Sequence, residues 1–351
     1  MTTPAATVDL SRRNLLQDGV AAAFVIGAKG ASAQGQKTVV KLGIGTTEAE
    51  ASLARSFGAL KSYAEARSGG QIEVRLFWNT LGGSLQLSQQ IRDGTLEMSL
   101  TDDAVMAGFH KPVMALQVPY LFDSAPVAWE FMREPALWQV CDDMRKATGI
   151  RTLGFSENGF RNITNNVRAI RTPEDMKGIR MRTLQSPVYT AFMQSMGASA
   201  TPIPFPELVL ALQQGVVDGQ ENSSGAILDN RLNEVQKFMS TNEHVYGFHM
   251  VIANDQWFSK LPAEHQRILT EATQLHCQTA NSWRARDSML AAGTLRERGM
   301  QVHITNAEEK DAFRRVTQKP VMDYIAGQVG AETVQRIVDA SASAKRRVYG
   351  A

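Results

Sequence analysis

Three short runs of alternating side chains decide the fold: VKLGI at residues 40–44, IEVRLFW at residues 72–78 and LEMSL at residues 96–100. In each run an apolar residue recurs at every second position, which is the pattern of a β-strand with a buried face. We therefore predict three strands within the first hundred residues.

Helical patterns fill the two segments between these strands. Thr47 and Glu50 have the spacing of a capping box, and four apolar residues then share one helical face before a glycine pair at 69–70: Leu53, Phe57, Leu60 and Ala64. Ser84 is expected to cap a second helix, which Gly94 ends. The alternation of strands and helices predicts an α/β fold with a doubly wound parallel sheet.

A ligand of such a sheet binds in the crevice outside the carboxyl ends of its strands. Those ends are predicted at residues 45–47, 79–82 and 101–103. Polar and small residues dominate all three segments, so this edge of the sheet is the expected location of a binding site.

A second α/β block follows Gly149. Ser186 and Pro187 have the pattern of a helix start, and Val216–Val217 is interpreted as a short strand leading into residues 218–222. The stretch from Pro262 to about Arg298 keeps a helical pattern without a further proline. A helix of that length could lie across two domains.

The composition restricts the class of protein. A hydrophobic fraction of 43% and a charged fraction of 21% exclude a disordered chain. The length of 351 residues suggests two domains. The net charge of +2 provides no basic surface for a phosphate backbone, so nucleic acid is not expected as a partner. Cys141 and Cys277 permit at most one disulfide, and two unpaired thiols are the preferred interpretation.

Residues 1–36 are predicted to be an export signal. Ser11-Arg12-Arg13, with Leu16 and an apolar segment at 20–28, has the layout of a twin-arginine signal. Ala31-Ser32-Ala33 provides the small residues that a signal peptidase accepts. The apolar segment is shorter than the ~20 residues that a bilayer requires. We expect a bacterial periplasmic protein that is translocated after folding.

Motifs of several common enzyme classes are absent from the sequence, including H-E-x-x-H, C-x-x-C, G-x-S-x-G and the Walker loop. The six histidines are scattered, and we interpret them as structural or surface residues. Asp102 and Asp103 could hold a metal ion or act as an acid–base pair. Adjacent strand residues point to opposite faces, however, so at most one of the two enters a shared site.

Arginine is the residue type that suggests a function. Arg161, Arg180 and Arg182 lie in two neighbouring segments of the second block. A guanidinium is planar, permanently charged and suited to bidentate contact with a carboxylate. We interpret Arg180 as a surface residue in a solvated ion pair. Arg182 lies near the carboxyl end of its predicted strand, so it is expected to face the crevice.

Three motifs of the second block carry a family resemblance: GFRNITN at 159–165, IRTPEDMKGIRMR at 170–182 and ALQQGVVDGQEN at 211–222. Together with VPYLF at 118–122 and RDGTL at 92–96, they closely resemble the extracytoplasmic solute-binding proteins of TRAP transporters. The match extends in order over most of residues 38–300.

The resemblance implies a two-domain periplasmic-binding-protein-like fold with a hinge and a long helix that spans both domains. The implied division is 37–157 with 247–287 as the first domain and 158–246 with 288–351 as the second. Hinge crossings are expected near Glu157 and His244–His249. The implied function is capture of an organic acid and its delivery to a sodium-coupled permease of large and small membrane subunits.

The resemblance also implies the roles of individual residues. By motif position, Arg182 binds the carboxylate, Arg161 supports it and Asn222 lies beside it. Phe205 is the aromatic residue against the ligand, and two further positions, Gln185 and Asp102, select among ligands. Contacts from the first domain are expected from Thr46, Trp78 and Asp102. No catalytic residue, cofactor or metal ion is implied.

Two other functions stay open at this point. A periplasmic sensor module could use the same fold to pass a bound acid to a signalling receptor. A lyase or isomerase could use Asp102 as a base on an acid anchored by arginine. The identity of the acid is also open, because dicarboxylates, 2-oxo acids, sugar acids and aromatic acids all carry the same anchoring group.

Overall fold

Ten strands form one sheet within residues 37–350, the part of the chain that the computed structural model describes. The strands are β1 (Thr38–Ile44), β2 (Ile72–Trp78), β3 (Met98–Asp102), β4 (Ile150–Asn165), β5 (Arg180–Thr183), β6 (Ser199–Pro202), β7 (Gly219–Ser223), β8 (Phe238–Ser240), β9 (Tyr246–Asn254) and β10 (Gln301–His303). The predicted export signal, residues 1–36, lies outside the described residues.

Twelve α-helices accompany the sheet in the same part of the chain. They are α1 (Ala51–Arg67), α2 (Ser84–Asp93), α3 (Asp103–Met106), α4 (Ala125–Phe131), α5 (Pro135–Thr148), α6 (Pro187–Ser195), α7 (Leu208–Gln213), α8 (Ser224–Asp229), α9 (Asp255–Lys260), α10 (Ala263–Glu297), α11 (Ala307–Val329) and α12 (Ala331–Tyr349). None of the helices between residues 37 and 350 combines the length and apolar composition needed to cross a membrane.

The first block has the predicted doubly wound arrangement. Strand β1 lies between β2 and β3 and runs parallel to both. Leu42 of β1 and Phe57 of α1 are fully buried in the core between this sheet and α1. The hydrophobic pattern predicted these elements because each helix and each strand buries one face against the other.

Two predicted helix starts are wrong. Helix α1 begins at Ala51 and no Thr47–Glu50 capping box forms, because Glu50 is itself the N-cap residue and its side chain makes no capping hydrogen bond. Helix α2 is capped by Gly83, so Ser84 is its first residue rather than its cap. The Glu50 side chain instead pairs with Arg284, and the Ser84 side chain donates a hydrogen bond to Asp102.

The long strands β4 and β9 join the two blocks. They pair antiparallel from Ile150–Asn254 to Phe160–Tyr246, with a register shift between Glu157 and Gly159. Gly159 has φ +107°, a conformation that side chains with a Cβ rarely adopt. Beyond this shift, β4 pairs with β7 and β8 of the second block. The predicted hinge position Glu157 lies on β4, and the predicted crossing at residues 244–249 covers the start of β9 and the two residues before it.

The second block differs from the prediction at one strand. Strand β5 runs parallel to β6 and β7, as expected for an α/β block. The strand predicted at Val216–Val217 is wrong, because β7 begins at Gly219 and continues to Ser223. Residues 219–222 therefore lie within β7, and every residue of that strand is buried.

Helix α10 is 35 residues long and packs against both blocks, as the sequence predicts. Its Ile268 and Ala272 lie in the core that contains β1 and α1, whereas Ala291 and Leu295 lie in the core that contains α7 and α8. Helix α12 packs against α4 and α5 of the first block, and Arg347 pairs there with Glu130. The division implied by the resemblance assigns α12 to the second domain, so these domain boundaries stay a proposal.

Candidate functional site

A polar cavity lies at the carboxyl ends of the parallel strands, between the two blocks. Its volume is ≈ 490 Å³ including the part open to solvent, which is within the usual range for a small-molecule site. The lining residues come from both blocks and from the crossing strands: Gly45, Thr46, Glu50, Leu53, Ser84, Leu100, Thr101, Asp102, Asn158, Arg161, Leu184, Phe205, Asn222, Ala226 and His249.

A buried ion pair lies on the second-block side of the cavity. The Arg161 side chain on β4 donates from Nε to Oε2 of Glu221 at 2.5 Å and from Nη2 to Oε1 at 2.9 Å. The Nε2 atom of His244 lies 3.3 Å from the same carboxylate. Burial by itself raises the pKa of Glu221, but Arg161 and His244 together hold that pKa below its ordinary value. The charge of Arg161 is thus neutralised by Glu221 on the neighbouring strand β7.

Arg182 lies close by without such a partner. Its side chain on β5 is 1% exposed, and its Nε donates to the carbonyl of Ile203 at 2.8 Å. Its Nη1 is buried and makes no hydrogen bond to any described residue. The guanidinium carbon lies 6.0 Å from the centre of the Phe205 ring. Burial lowers the pKa of Arg182 to about 10, so the group is still charged at neutral pH.

The wall contributed by the first block is centred on Asp102. Its Oδ2 accepts a hydrogen bond from Ser84 at 2.9 Å, its Oδ1 accepts one from Asn158 at 3.3 Å, and Nε2 of His249 lies 3.6 Å from Oδ1. The neighbouring Asp103 points away and accepts from the backbone N–H of Phe248 at 3.1 Å. Of the two aspartates, Asp102 at the end of β3 lines the cavity, whereas Asp103, the first residue of α3, does not.

A second buried charge cluster lies beside this wall. The carboxylate of Glu50 accepts hydrogen bonds from Thr46, Asn230 and the guanidinium of Arg284 on α10. Nη1 of Arg284 lies 3.5 Å from Asp229, so one arginine joins acids of both blocks. Burial by itself raises the pKa of Glu50, but Arg284 and the hydrogen bonds from Thr46 and Asn230 together hold that pKa below its ordinary value.

Five of the eight predicted ligand-binding residues line the cavity: Thr46, Asp102, Arg161, Phe205 and Asn222. The structure does not place the other three in the lining. Arg182 lies next to the lining residue Phe205, Gln185 follows the lining residue Leu184, and Trp78 packs edge-on against Phe57 at 6.0 Å.

Four cavity residues were missed or misinterpreted in the sequence. Ser84 and Glu50 were interpreted as helix caps, and His249 was expected to be structural. Asn158, which lies at the register shift in β4, gave no signal in the sequence. The one usable signal was position, since Ser84 and Glu50 each follow the carboxyl end of a parallel strand. Among residues 37–350, no cluster of His, Cys, Asp and Glu could hold a metal ion.

Comparison with protein families identifies the family of this chain. The model described as "Bacterial extracellular solute-binding protein, family 7" matches residues 46–328. The chain belongs to this family. This solute-binding protein is 34% identical over 242 residues to a solute-binding protein of Verminephrobacter eiseniae, with 68% of this chain and 71% of the relative covered. It is 29% identical over 279 residues to the 2,3-diketo-L-gulonate-binding periplasmic protein of Escherichia coli, covering 78% and 83%.

Solved structures confirm the predicted two-domain fold of this solute-binding protein. The sugar acid binding protein from Advenella mimigardefordensis, in complex with galactonate, has a TM-score of 0.84 at 28% identity and covers 88% of this chain and 99% of its own. A TRAP periplasmic solute binding protein from a Polaromonas species, bound to D-erythronate, has a TM-score of 0.81 at 27% identity, covering 86% and 98%.

Proposed function

We propose that this solute-binding protein captures an organic acid in the cavity, with the acid's carboxylate on Arg182. The observation that carries the proposal is a buried, charged guanidinium beside the cavity whose Nη1 has no partner among the described residues. Leaving a buried charged donor unsatisfied costs more than an ordinary hydrogen bond returns. An incoming carboxylate supplies both the missing acceptor and the missing countercharge.

Binding favours closure of the two blocks around the acid. Arg182 and Asn222 lie on the second block, whereas Thr46 and Asp102 lie on the first. Only the closed arrangement lets a ligand contact all four residues, so a ligand shifts the population towards closure. The crossing of β4 and β9 near Glu157 is the proposed hinge.

The protein then delivers the acid to a TRAP permease with large and small membrane subunits. Family members are periplasmic, and we propose the periplasm as the location of this chain, reached through the twin-arginine signal at residues 1–36. Replacing Arg12 and Arg13 by lysine is expected to keep the protein in the cytoplasm, as fractionation of cells would reveal. Unchanged export would contradict this route.

Calorimetry with D-galactonate and D-erythronate tests the binding role. Arg182→Met is expected to raise the dissociation constant on the order of 100-fold or more, because two charge-assisted hydrogen bonds are worth about 1.5–3 kcal/mol each. Arg180→Met is the matched control, since Arg180 lies on the same strand but pairs with Asp218 in solvent. Unchanged affinity in Arg182→Met would contradict the proposal.

A further inference from the structure

The charges around the cavity are paired in all but two places. Arg161 is neutralised by Glu221, and Arg284 is neutralised by Glu50. Among the described residues, the remaining cation is Arg182 on the second block, and the remaining anion is Asp102 on the first. The two unpaired charges are therefore a positive group beside the cavity on the second block and a negative group in its lining on the first.

The contacts of Asp102 are all to neutral groups. Ser84 and Asn158 donate hydrogen bonds to it, and His249 lies 3.6 Å away. His249 is 8% exposed, and burial lowers its pKa to about 4, so it carries no charge at neutral pH. Its Nδ1 is buried and without a partner, although the residue lines the cavity.

This wall suits hydroxyl groups better than it suits a second charge. A carboxylate placed against Asp102 would meet a like charge, and two like charges within a few Å of each other are unfavourable. An ammonium offers donors only, whereas Ser84 and Asn158 already donate into this wall. A hydroxyl group both donates and accepts, so it can donate to Asp102 and pair with Asn158 or His249 as well.

We propose that the site selects acids with a single negative charge and hydroxyl groups at the far end, and that Asp102 is the residue that rejects dicarboxylates. This inference rests on the proposed function, because it takes Arg182 as the anchor of the acid's one carboxylate. Hydroxyl groups of the ligand donate to Asp102, and charge-assisted hydrogen bonds of this kind are stronger than neutral ones. Selection arises from repulsion of the wrong ligand as much as from attraction of the right one.

The test compares two acids of equal length by calorimetry on the protein without residues 1–36. D-Erythronate ends in a hydroxymethyl group, and tartrate ends in a second carboxylate. We expect wild-type protein to bind erythronate at least 10-fold more tightly than tartrate. Equal or tighter binding of tartrate would overturn the inference, and this comparison requires no variant. Tighter binding of 4-aminobutyrate than of erythronate would also overturn it, because that result would assign Asp102 to an amine.

Asp102→Asn then identifies the residue responsible. We expect its erythronate affinity to fall about 10-fold and its tartrate affinity to hold or rise, while Asp93→Asn, an exposed acid at the end of α2, keeps the wild-type ratio. An unchanged ratio in a folded Asp102→Asn protein would overturn the assignment to Asp102. If wild-type protein bound no acid, the proposed function would fail together with this inference. If it bound acids without discrimination, only the inference would fail.

Discussion

Arg161 and Glu221 form a bidentate ion pair with both side chains at most 1% exposed. The pair spans two neighbouring antiparallel strands, β4 and β7, and is separated by 60 residues in sequence. This pair neutralises the charge of Arg161, whereas Nη1 of the nearby Arg182 has no hydrogen-bond partner among the described residues. The charge balance of the cavity thus depends on an ion pair between residues that are distant in sequence.

Glu221→Gln is expected to destabilise the protein by about 3–5 kcal/mol, because it leaves the buried Arg161 without its countercharge. Urea denaturation followed by circular dichroism measures the change. Glu207→Gln is the control, since Glu207 is exposed and its replacement should cost little. A loss below about 1 kcal/mol in Glu221→Gln would show that the pair contributes little to stability.

Asp103 is expected to make the stability fall as pH rises. Burial raises the pKa of Asp103 in the folded protein to about 7, and the neighbouring Asp102 adds to this effect. Between about pH 4 and pH 7 the folded state therefore holds a proton that the unfolded state has released. Stability from this group is fully present below that window and is lost across it.

Asp103→Asn removes this dependence while its side-chain oxygen can still accept from Phe248. We expect the variant to gain stability relative to wild type between pH 5 and pH 8, on the order of 1–3 kcal/mol. Denaturant titrations at the two pH values measure the gain, and Asp93→Asn should show none. A difference that is the same at both pH values would contradict the raised pKa.

Gly219→Ala is expected to destabilise the start of β7. A Cβ atom there would collide with the carbonyl oxygen of Thr164 and lie 2.8 Å from Cβ of Asn165. Because the first obstacle is backbone, we expect a loss of about 1–3 kcal/mol. Gly58→Ala is the matched control, since Gly58 lies within α1 with open space around its Cβ position and should gain about 0.5–1 kcal/mol. Thermal denaturation of both variants measures the two shifts, and a stable Gly219→Ala protein would contradict the expected collision.

The predictions from sequence succeeded where one local pattern has one structural meaning. Alternation in residues 72–78 can be satisfied only by a strand with one buried face, and the proline-free run after Pro262 supports a single long helix. They failed at Glu50, because an acid three residues after a threonine is equally consistent with a helix cap and with a distant ion pair. They failed at Val216–Val217 because two apolar residues do not distinguish a strand from the turn before one.

The sequence by itself determined the order of strands and helices, the edge of the sheet where the cavity lies and the presence of arginines near that edge. These properties follow from hydrophobic periodicity and from the position of residues relative to strand ends, both of which are local. Only the tertiary structure decided which charges are paired, because Coulomb interactions act through space rather than along the chain. Glu221 neutralises Arg161 from 60 positions away, and Arg284 neutralises Glu50 from 234 positions away. The pair that is left over, Arg182 and Asp102, is defined by those distant contacts.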